Sequence, residues 1–234
     1  MRSERIEVLE RLKCFLLEQA LPSGAQLPGE RELAERLGVS RTALRCAIQQ
    51  MAEDGQLLRH VGAGTYIAPP KIDHPLQHYV ALRRMVEATG RSFDTQIVLL
   101  DCIACGKAVA AALHLSAGAL VYRIRCRRLA DNLAFMLDTS YLEAKRFPGL
   151  PEYDFEQKPL YEVLRDHYST RLKKGTAHLR MTYAAASEIE QLHIEEGKAL
   201  FSITRVARDE NNTPIEYAEV TICPDMLQFS ILQS

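Results

Sequence analysis

Two arginines stand four residues apart in VSRTALRCAIQQM, residues 39–51, a stretch that otherwise carries regularly spaced apolar side chains. If the stretch is helical, Leu44, Ile48 and Met51 fall on one stripe, and Arg41, Thr42, Arg45 and Gln49 fall on another. A row of planar guanidinium groups on an outward face suits nucleic acid. From a helix in the major groove, arginine can donate bidentately to guanine O6 and N7, and Gln49 can pair with adenine or a phosphate. Ser40 is a good N-cap, and helix N-termini also attract phosphates. Solvated surface charge is the competing reading. Residues 1–68 hold nine Lys/Arg and nine Asp/Glu, yet 39–51 holds two arginines and no acid. That segregation of charge by face is what phosphate contact requires.

A second set of charges sits in strand-like runs. In VYRIRCRRL, residues 121–129, Tyr122, Ile124, Cys126 and Arg128 share one face, and Arg123, Arg125 and Arg127 share the other. Arg128 is therefore a cation on the apolar side, which is costly unless a carboxylate or a bound anion meets it. Glu216 alternates with Ala218, Val220 and Ile222, Arg205 with Phe201 and Ile203, and Asp138 with Ala134, Met136 and Leu142. Such charges make either internal salt bridges or a polar pocket for a small anionic ligand. Catalytic patterns do not emerge: there is no nucleophile–base spacing, metal-ligand pattern or phosphate loop. No cofactor is expected.

The chain around these groups has 234 residues, 47% hydrophobic and 25% charged, with a formal net charge of −1. That length accommodates two domains. No apolar run is long enough to span a bilayer and the N-terminus is charged and periodic, so a cytoplasmic protein without membrane partners is expected. The six cysteines lack the density of a secreted disulfide scaffold and read as reduced thiols. Cys102 and Cys105 stand in a CIAC motif with no second pair nearby, and in a strand this spacing sends the two sulfurs to opposite faces. Cys126 reads as packing.

Helical periodicity appears in ERIEVLERLKCFLLEQAL, where Ile6, Leu9, Leu12 and Leu16 form the apolar series. A short second helix follows at GERELAERLG, with Gly29 as N-cap and Gly38 as its stop, and a third runs from Arg41 to Asp54. LLRHVGAGTYIAPP predicts a hairpin, with Gly62 and Gly64 supplying the positive φ of its turn. Three helices and a hairpin make a winged helix-turn-helix over residues 1–68, with a linker at 69–75 and a second domain at 76–234. That domain opens with a helix from about His74 to Thr89 and continues as six strand-like runs interleaved with three helices. Hairpin turns at ADN and DENNT point to an antiparallel sheet, and the whole to an α+β fold.

The stretch LPGERELAERLGVSRTALRCAIQQMAEDGQLLRHVGAGTYI resembles the DNA-binding domain of the GntR family, matching its Leu-Pro-x-Glu-Arg-x-Leu-Ala, Leu-Gly-Val-Ser-Arg-x-x-x-Arg and Gly-x-Gly-Thr segments. The resemblance implies that Arg31, Arg41 and Arg45 contact operator bases or phosphates and that Gly62 and its neighbours form the wing. Gly29 departs from the usual serine. From residue 75 to 230 the chain resembles the UTRA effector domain of the HutC subfamily, a fold similar to chorismate lyase, through RRLADNLAFMLDTSYL, FPGL, PLYEVL and TPIEYAEV. Carried over by motif, the effector pocket would comprise Arg128, Asp138, Tyr161 and Glu216, to which the alternation adds Arg205. Cys126 replaces the subfamily's first pocket arginine and Pro159 its serine. The tail CPDMLQFSIL and the segment RRLADNLAFMLDTSYL resemble the branch regulating phosphonate uptake and degradation.

These readings converge on a homodimeric, ligand-responsive repressor. It would bind double-stranded operator DNA through Arg31, Ser40, Arg41, Thr42, Arg45, Gln49, Gly62 and Gly64, and leave it on binding a small anionic metabolite. The alternatives are an enzyme of lyase-like fold acting on a small carboxylate, and a DNA-binding protein with no ligand.

Overall fold

The computed structural model describes residues 2–60, 63–75 and 82–230. The chain divides into two units, one of Met1–Gln77 with Asp225–Ser234 and one of His78–Pro224.

In the first unit α1 (Arg2–Gln19), α2 (Glu30–Leu37) and α3 (Arg41–Glu53) bury Val8, Leu12, Leu33, Ala34, Leu44, Ala47, Ile48 and Met51 in one core. Ile6, expected in the apolar series of α1, is 57% exposed, whereas Val8 is buried. At about 100° per residue, Val8, Leu9, Phe15 and Leu16 all lie within roughly 60° of Leu12, while Ile6 lies roughly 120° away. Gly38 closes α2 in the left-handed region, φ 65°, and the Ser40 hydroxyl caps α3 by accepting from the Ala43 amide at 3.2 Å. The hairpin pairs β1 (Leu57–His60) with β2 (Gly64–Ile67). Residues 24–27 run along the outer edge of β2, where the Leu27 amide donates to the Thr65 carbonyl at 2.8 Å and the Ile67 amide to that of Ala25 at 2.8 Å. The segment read as a linker and then a helix is a strand, β3 (Ile72–Pro75). Of the helix expected from His74 to Thr89, residues 76–81 lie outside the described residues, and α4 (Leu82–Glu87) in the second unit is helical.

That second unit is built on one six-stranded antiparallel sheet. Its strands are β4 (Phe93–Ala104), β5 (Leu120–Ala130), β6 (Leu133–Glu143), β7 (Leu172–Tyr183), β8 (Ala199–Asp209) and β9 (Pro214–Ile222). They lie in the order β4-β5-β6-β9-β8-β7. The β5–β6 turn places Asp131 and Asn132 at φ 51° and 64°, the two positive φ values that twist-matched hairpin turns need. Between the strands run α5 (Lys107–Leu113), α6 (Leu160–Tyr168) and α7 (Ala186–Leu192). Strand alternation gives the sheet two unlike faces. On one, Ile124, Cys126 and Leu142 pack with Phe147, Val163 and Leu164 beneath α6. On the other, Val109, Ala110 and Leu113 of α5 pack on Val121, with Tyr141 and Tyr217 at the margin. The last strand, β10 (Leu227–Ser230), returns to the first unit and pairs in parallel with β3, Leu227 opposite Ile72. This pairing is the reason 72–75 is extended. Each strand supplies the backbone hydrogen bonds the other would otherwise lack.

Candidate functional sites

The outward stripe of α3 comes first. Arg41, Thr42, Arg45 and Gln49 are all exposed, as is Arg31 on α2. The inward positions of the same helix, Leu44 and Ile48, are at most 2% exposed. Burial of that stripe fixes the rotation of α3 and with it the direction of the arginines. Arg45 is further constrained: its Nε donates to Oε2 of Glu30, in the first turn of α2, at 2.5 Å. Gln49 donates through Nε2 to Glu53 at 3.0 Å, so both polar groups have intramolecular acceptors that a base edge would have to replace. Residue-by-residue reading had no signal for Glu30, because an acid in the first turn also suits the helix dipole and only the packing of α2 on α3 brings it to Arg45.

Of the two hairpin glycines, Gly62 lies outside the described residues. Gly64 has φ 114°, and a Cβ there would come within 2.5 Å of the Gln26 amide nitrogen. Glycine is favoured there by the backbone conformation, and a Cβ would in addition displace the end of the Gln26 side chain. Gln26 Nε2 and the Tyr66 hydroxyl both donate to the Ala63 carbonyl, at 2.8 and 2.9 Å, which holds the wing tip.

In the second unit all five expected pocket residues come together on the α6 side of the sheet. Glu216 on β9 is fully buried, with Ala207 opposite it on β8. Arg205 on β8 and Ser140 on β6 both face Ala218, the residue two along from Glu216. The small methyl of Ala218 lets these flanking side chains lean diagonally onto the carboxylate. The Ser140 hydroxyl donates to Oε1 at 2.5 Å, Arg205 Nη2 to the same oxygen at 3.4 Å, and the Tyr161 hydroxyl, from α6, to Oε2. The Arg205 guanidinium also stands 5.8 Å from the Tyr161 ring centroid.

Beside this group, Arg128 Nε donates to Oδ2 of Asp138 at 2.9 Å and Nη1 to the Thr95 hydroxyl at 2.8 Å. A bulge follows Arg128 in the β5–β6 ladder, a distortion that re-aims the side chains beside it. Both arginines are held above their ordinary pKa. Burial pulls each down, but Asp138 at Arg128, and Glu216 with Tyr161 and Asp138 at Arg205, outweigh it. Burial, reinforced by Asp138, pushes the Cys126 thiol up to about 12, so it is a packed neutral group. Ser140 and Thr95 were missed by sequence reasoning, since hydroxyls on strands carry no charge to look misplaced.

Arg128 and Arg205 thus each have a carboxylate of the chain itself, which is the internal salt-bridge arrangement. The guanidinium of Arg128 has five N–H donors. Its Nε and Nη2 both meet Asp138, and Nη1 meets Thr95. With 22% of the side chain exposed, donors remain for another acceptor. Cys102 and Cys105 do not form a pair: Cys102 is exposed on β4 and Cys105 is buried beyond its end. Among the described residues no group of His, Cys, Asp and Glu could hold a metal ion, and no helix is long and apolar enough to cross a membrane.

Comparison with known proteins agrees with this division of labour. The family described as bacterial regulatory proteins, gntR family, matches residues 5–67, and the UTRA domain matches residues 88–228. The HTH-type transcriptional repressor NagR of Bacillus subtilis is 25% identical over 223 residues, covering 95% of this chain and 91% of that one. The HTH-type transcriptional repressor PhnF of Mycolicibacterium smegmatis is 27% identical over 207 residues, covering 88% and 84%. The crystal structure of PhnF from Mycobacterium smegmatis superimposes with a TM-score of 0.72 over 96% of this chain and 98% of that one, at 25% identity.

Proposed function

The chain belongs to the GntR family of bacterial regulatory proteins and carries a UTRA domain, and from that premise we propose that it is a repressor released from its operator by a small anionic metabolite. The observation that carries the ligand-responsive part is the buried cluster of Arg128, Asp138, Arg205, Glu216 and Tyr161 under α6. Replacing buried ion pairs by apolar side chains of equal volume is often neutral or stabilising, so a cluster this costly to assemble suits a recognition task better than a scaffold. Entering between the two arginines, an anion takes the remaining N–H donors of Arg128 and competes with Asp138. The Tyr161 oxygen, whose proton is given to Glu216, accepts from the anion's hydroxyl or amine substituents.

PhnF and NagR are repressors by name, which supports the same sign of control here. The phosphonate-branch resemblance of CPDMLQFSIL and RRLADNLAFMLDTSYL favours phosphonate-related compounds over other phosphorylated or carboxylated metabolites. Cys126 and Pro159, standing where the subfamily pocket has an arginine and a serine, remove two groups that hold the phosphate in sugar-phosphate-sensing members, which argues against a sugar phosphate.

On the DNA side, Arg31, Arg41, Arg45 and Gln49 face the major groove, the amides beside Ser40 and Thr42 meet phosphate, and the wing at Gly62 and Gly64 lies against the backbone or minor groove. One recognition helix reads only a few base pairs, so a homodimer on a palindrome completes the reading.

The test begins with selection of duplexes from a random pool by the purified chain. The enriched sequence is then titrated by fluorescence anisotropy with and without phosphonates, sugar phosphates and aromatic carboxylates. A palindrome should be enriched, and one ligand class should weaken its binding some 5- to 150-fold. Failure to enrich any sequence sinks the DNA-binding reading. An enriched site that no ligand class loosens sinks the effector reading.

A further inference from the structure

The side of the effector sheet facing away from the charged cluster has a cavity of its own, about 180 Å³, floored by β5, β6, β8 and β9 and closed at one side by Glu188 of α7. This is the face of the three odd-numbered arginines of β5. The outer two are each held by a two-point grip. Arg123 grips Asp101 with Nε at 3.0 Å and Nη2 at 2.6 Å, and Arg127 grips Gln96 through Nε and Nη2 while Nη1 donates to the Gln191 carbonyl at 3.2 Å. Arg125, between them, is different. It makes one long bond, from Nη2 to the Ser187 hydroxyl at 3.4 Å, and its buried Nε has no hydrogen-bond partner among the described residues. A buried unsatisfied donor of a charged group is costly, so this nitrogen calls for an acceptor that the described residues do not supply.

Acidic groups face Arg125 across the same cavity. Glu219 lies two strands away, on the register line that runs Arg125, Thr139, Glu219. Two strand spacings are about 10 Å between backbones, a gap that the reaching side chains shorten to the length of a small molecule. Glu219 accepts from the Tyr217 hydroxyl at 3.1 Å, and Glu188 accepts from the Ala185 amide at 3.1 Å; neither pairs with Arg125 among the described residues. Thr139 and Ser202 add hydroxyls to the floor.

We propose that this cavity is a second ligand site, taking a small zwitterion whose anionic group meets Arg125 and whose ammonium meets Glu219 and Glu188. A plain anion would satisfy Arg125 but face two carboxylates, and a plain cation would meet the converse repulsion. A molecule with both charges satisfies both ends. The space equals about six water volumes, which fits a compound of amino-acid size and is below the range of drug-sized pockets. Even- and odd-numbered residues of β5 face opposite ways, so this site shares no side chain with the Arg128 cluster and stands whether or not that cluster binds an anion.

Isothermal titration calorimetry of the full chain tests it, with glycine, β-alanine, γ-aminobutyrate and the standard amino acids as probes and propionate and propylamine as single-charge controls. At least one zwitterion should bind, with the single-charge controls silent. Glu219→Gln and Arg125→Gln should each weaken binding at least about 10-fold, the scale of a lost charge-assisted hydrogen bond. Circular dichroism establishes that each variant is folded, and if Arg125→Gln is not, Glu219→Gln carries the result alone. No binding by any zwitterion, equal binding by the single-charge controls, or wild-type affinity in folded Glu219→Gln overturns the proposal.

Discussion

Arg45 on α3 and Glu30 on α2 are joined by an Nε to Oε2 hydrogen bond of 2.5 Å, so the second arginine of the outward stripe is held by a carboxylate from the neighbouring helix. The bond occupies Nε, and with 62% of the side chain exposed the two terminal nitrogens of the fork can serve another acceptor. It also sets an acid beside a surface proposed to meet phosphate. The two effects oppose each other when Glu30 is changed.

Glu30→Gln removes a repulsive charge and loosens Arg45, so binding to unrelated duplex should tighten slightly while discrimination in favour of the selected operator falls. Arg45→Ala should cost about 1–3 kcal/mol on the operator and much less on unrelated DNA. Anisotropy titrations of both variants on both duplexes read the ratio. Equal losses on the two duplexes would place Arg45 on phosphate and not on a base.

The wing offers a stability prediction. Gly64→Ala must adopt φ 114° and push Gln26 from the Ala63 carbonyl, and it should destabilise the first unit by about 1–3 kcal/mol. Adding Gln26→Ala removes the clash and leaves the backbone strain, so the double variant should recover only part of the loss in urea unfolding.

How much of this was legible beforehand follows from the range of each interaction. The stripes of α3, the β5–β6 turn at Asp131 and Asn132 and the two faces of β5 follow from local periodicity and turn chemistry, and all can be read from the residues alone. Arg128, Arg205, Asp138 and Glu216 were visible as charges at apolar positions. Their partners were not, because Ser140 and Thr95 reach them across strands whose register no single segment contains. Strand β3 was misread for the same reason: IDHP has no strand pattern of its own, and its partner β10 comes from the far end of the chain. Glu30 falls between these cases, a plain first-turn acid until α2 is packed on α3.

The β8–β9 hairpin predicts a pH dependence. Asp209 is 7% exposed. Its Oδ2 accepts from Arg146 at 2.6 Å and its Oδ1 from the amides of Asn211 and Thr213 at 2.9 Å. Burial alone would raise its pKa, but those bonds overcome it and hold the carboxyl below the usual range. A depressed folded pKa contributes stability that is complete above the unfolded value near pH 4 and is lost as the pH falls through the folded value. Asp209→Asn should therefore be less stable than wild type at pH 7, with the gap closing below pH 4. A gap that stayed constant down to pH 2.5 in urea unfolding would show that the charge is not what the hairpin uses.

The Arg128–Asp138 pair separates a structural from a recognition role. Asp138→Asn leaves a largely buried guanidinium without its carboxylate and should cost about 3 kcal/mol, the lower part of the range for breaking a buried pair, because 22% of the Arg128 side chain reaches solvent. Changing both, Arg128→Met with Asp138→Leu, replaces the pair by apolar groups of similar size and should recover most of that stability. If the pair served only the fold, the double variant would be a near-normal protein. The proposed anion site instead requires that it still binds operator duplex yet no longer releases it, because the donors that distinguish the ligand-bound state are gone. Operator anisotropy with and without the releasing ligand decides between the two: retained release in the stable double variant would assign Arg128 to packing and move the anion to Arg205.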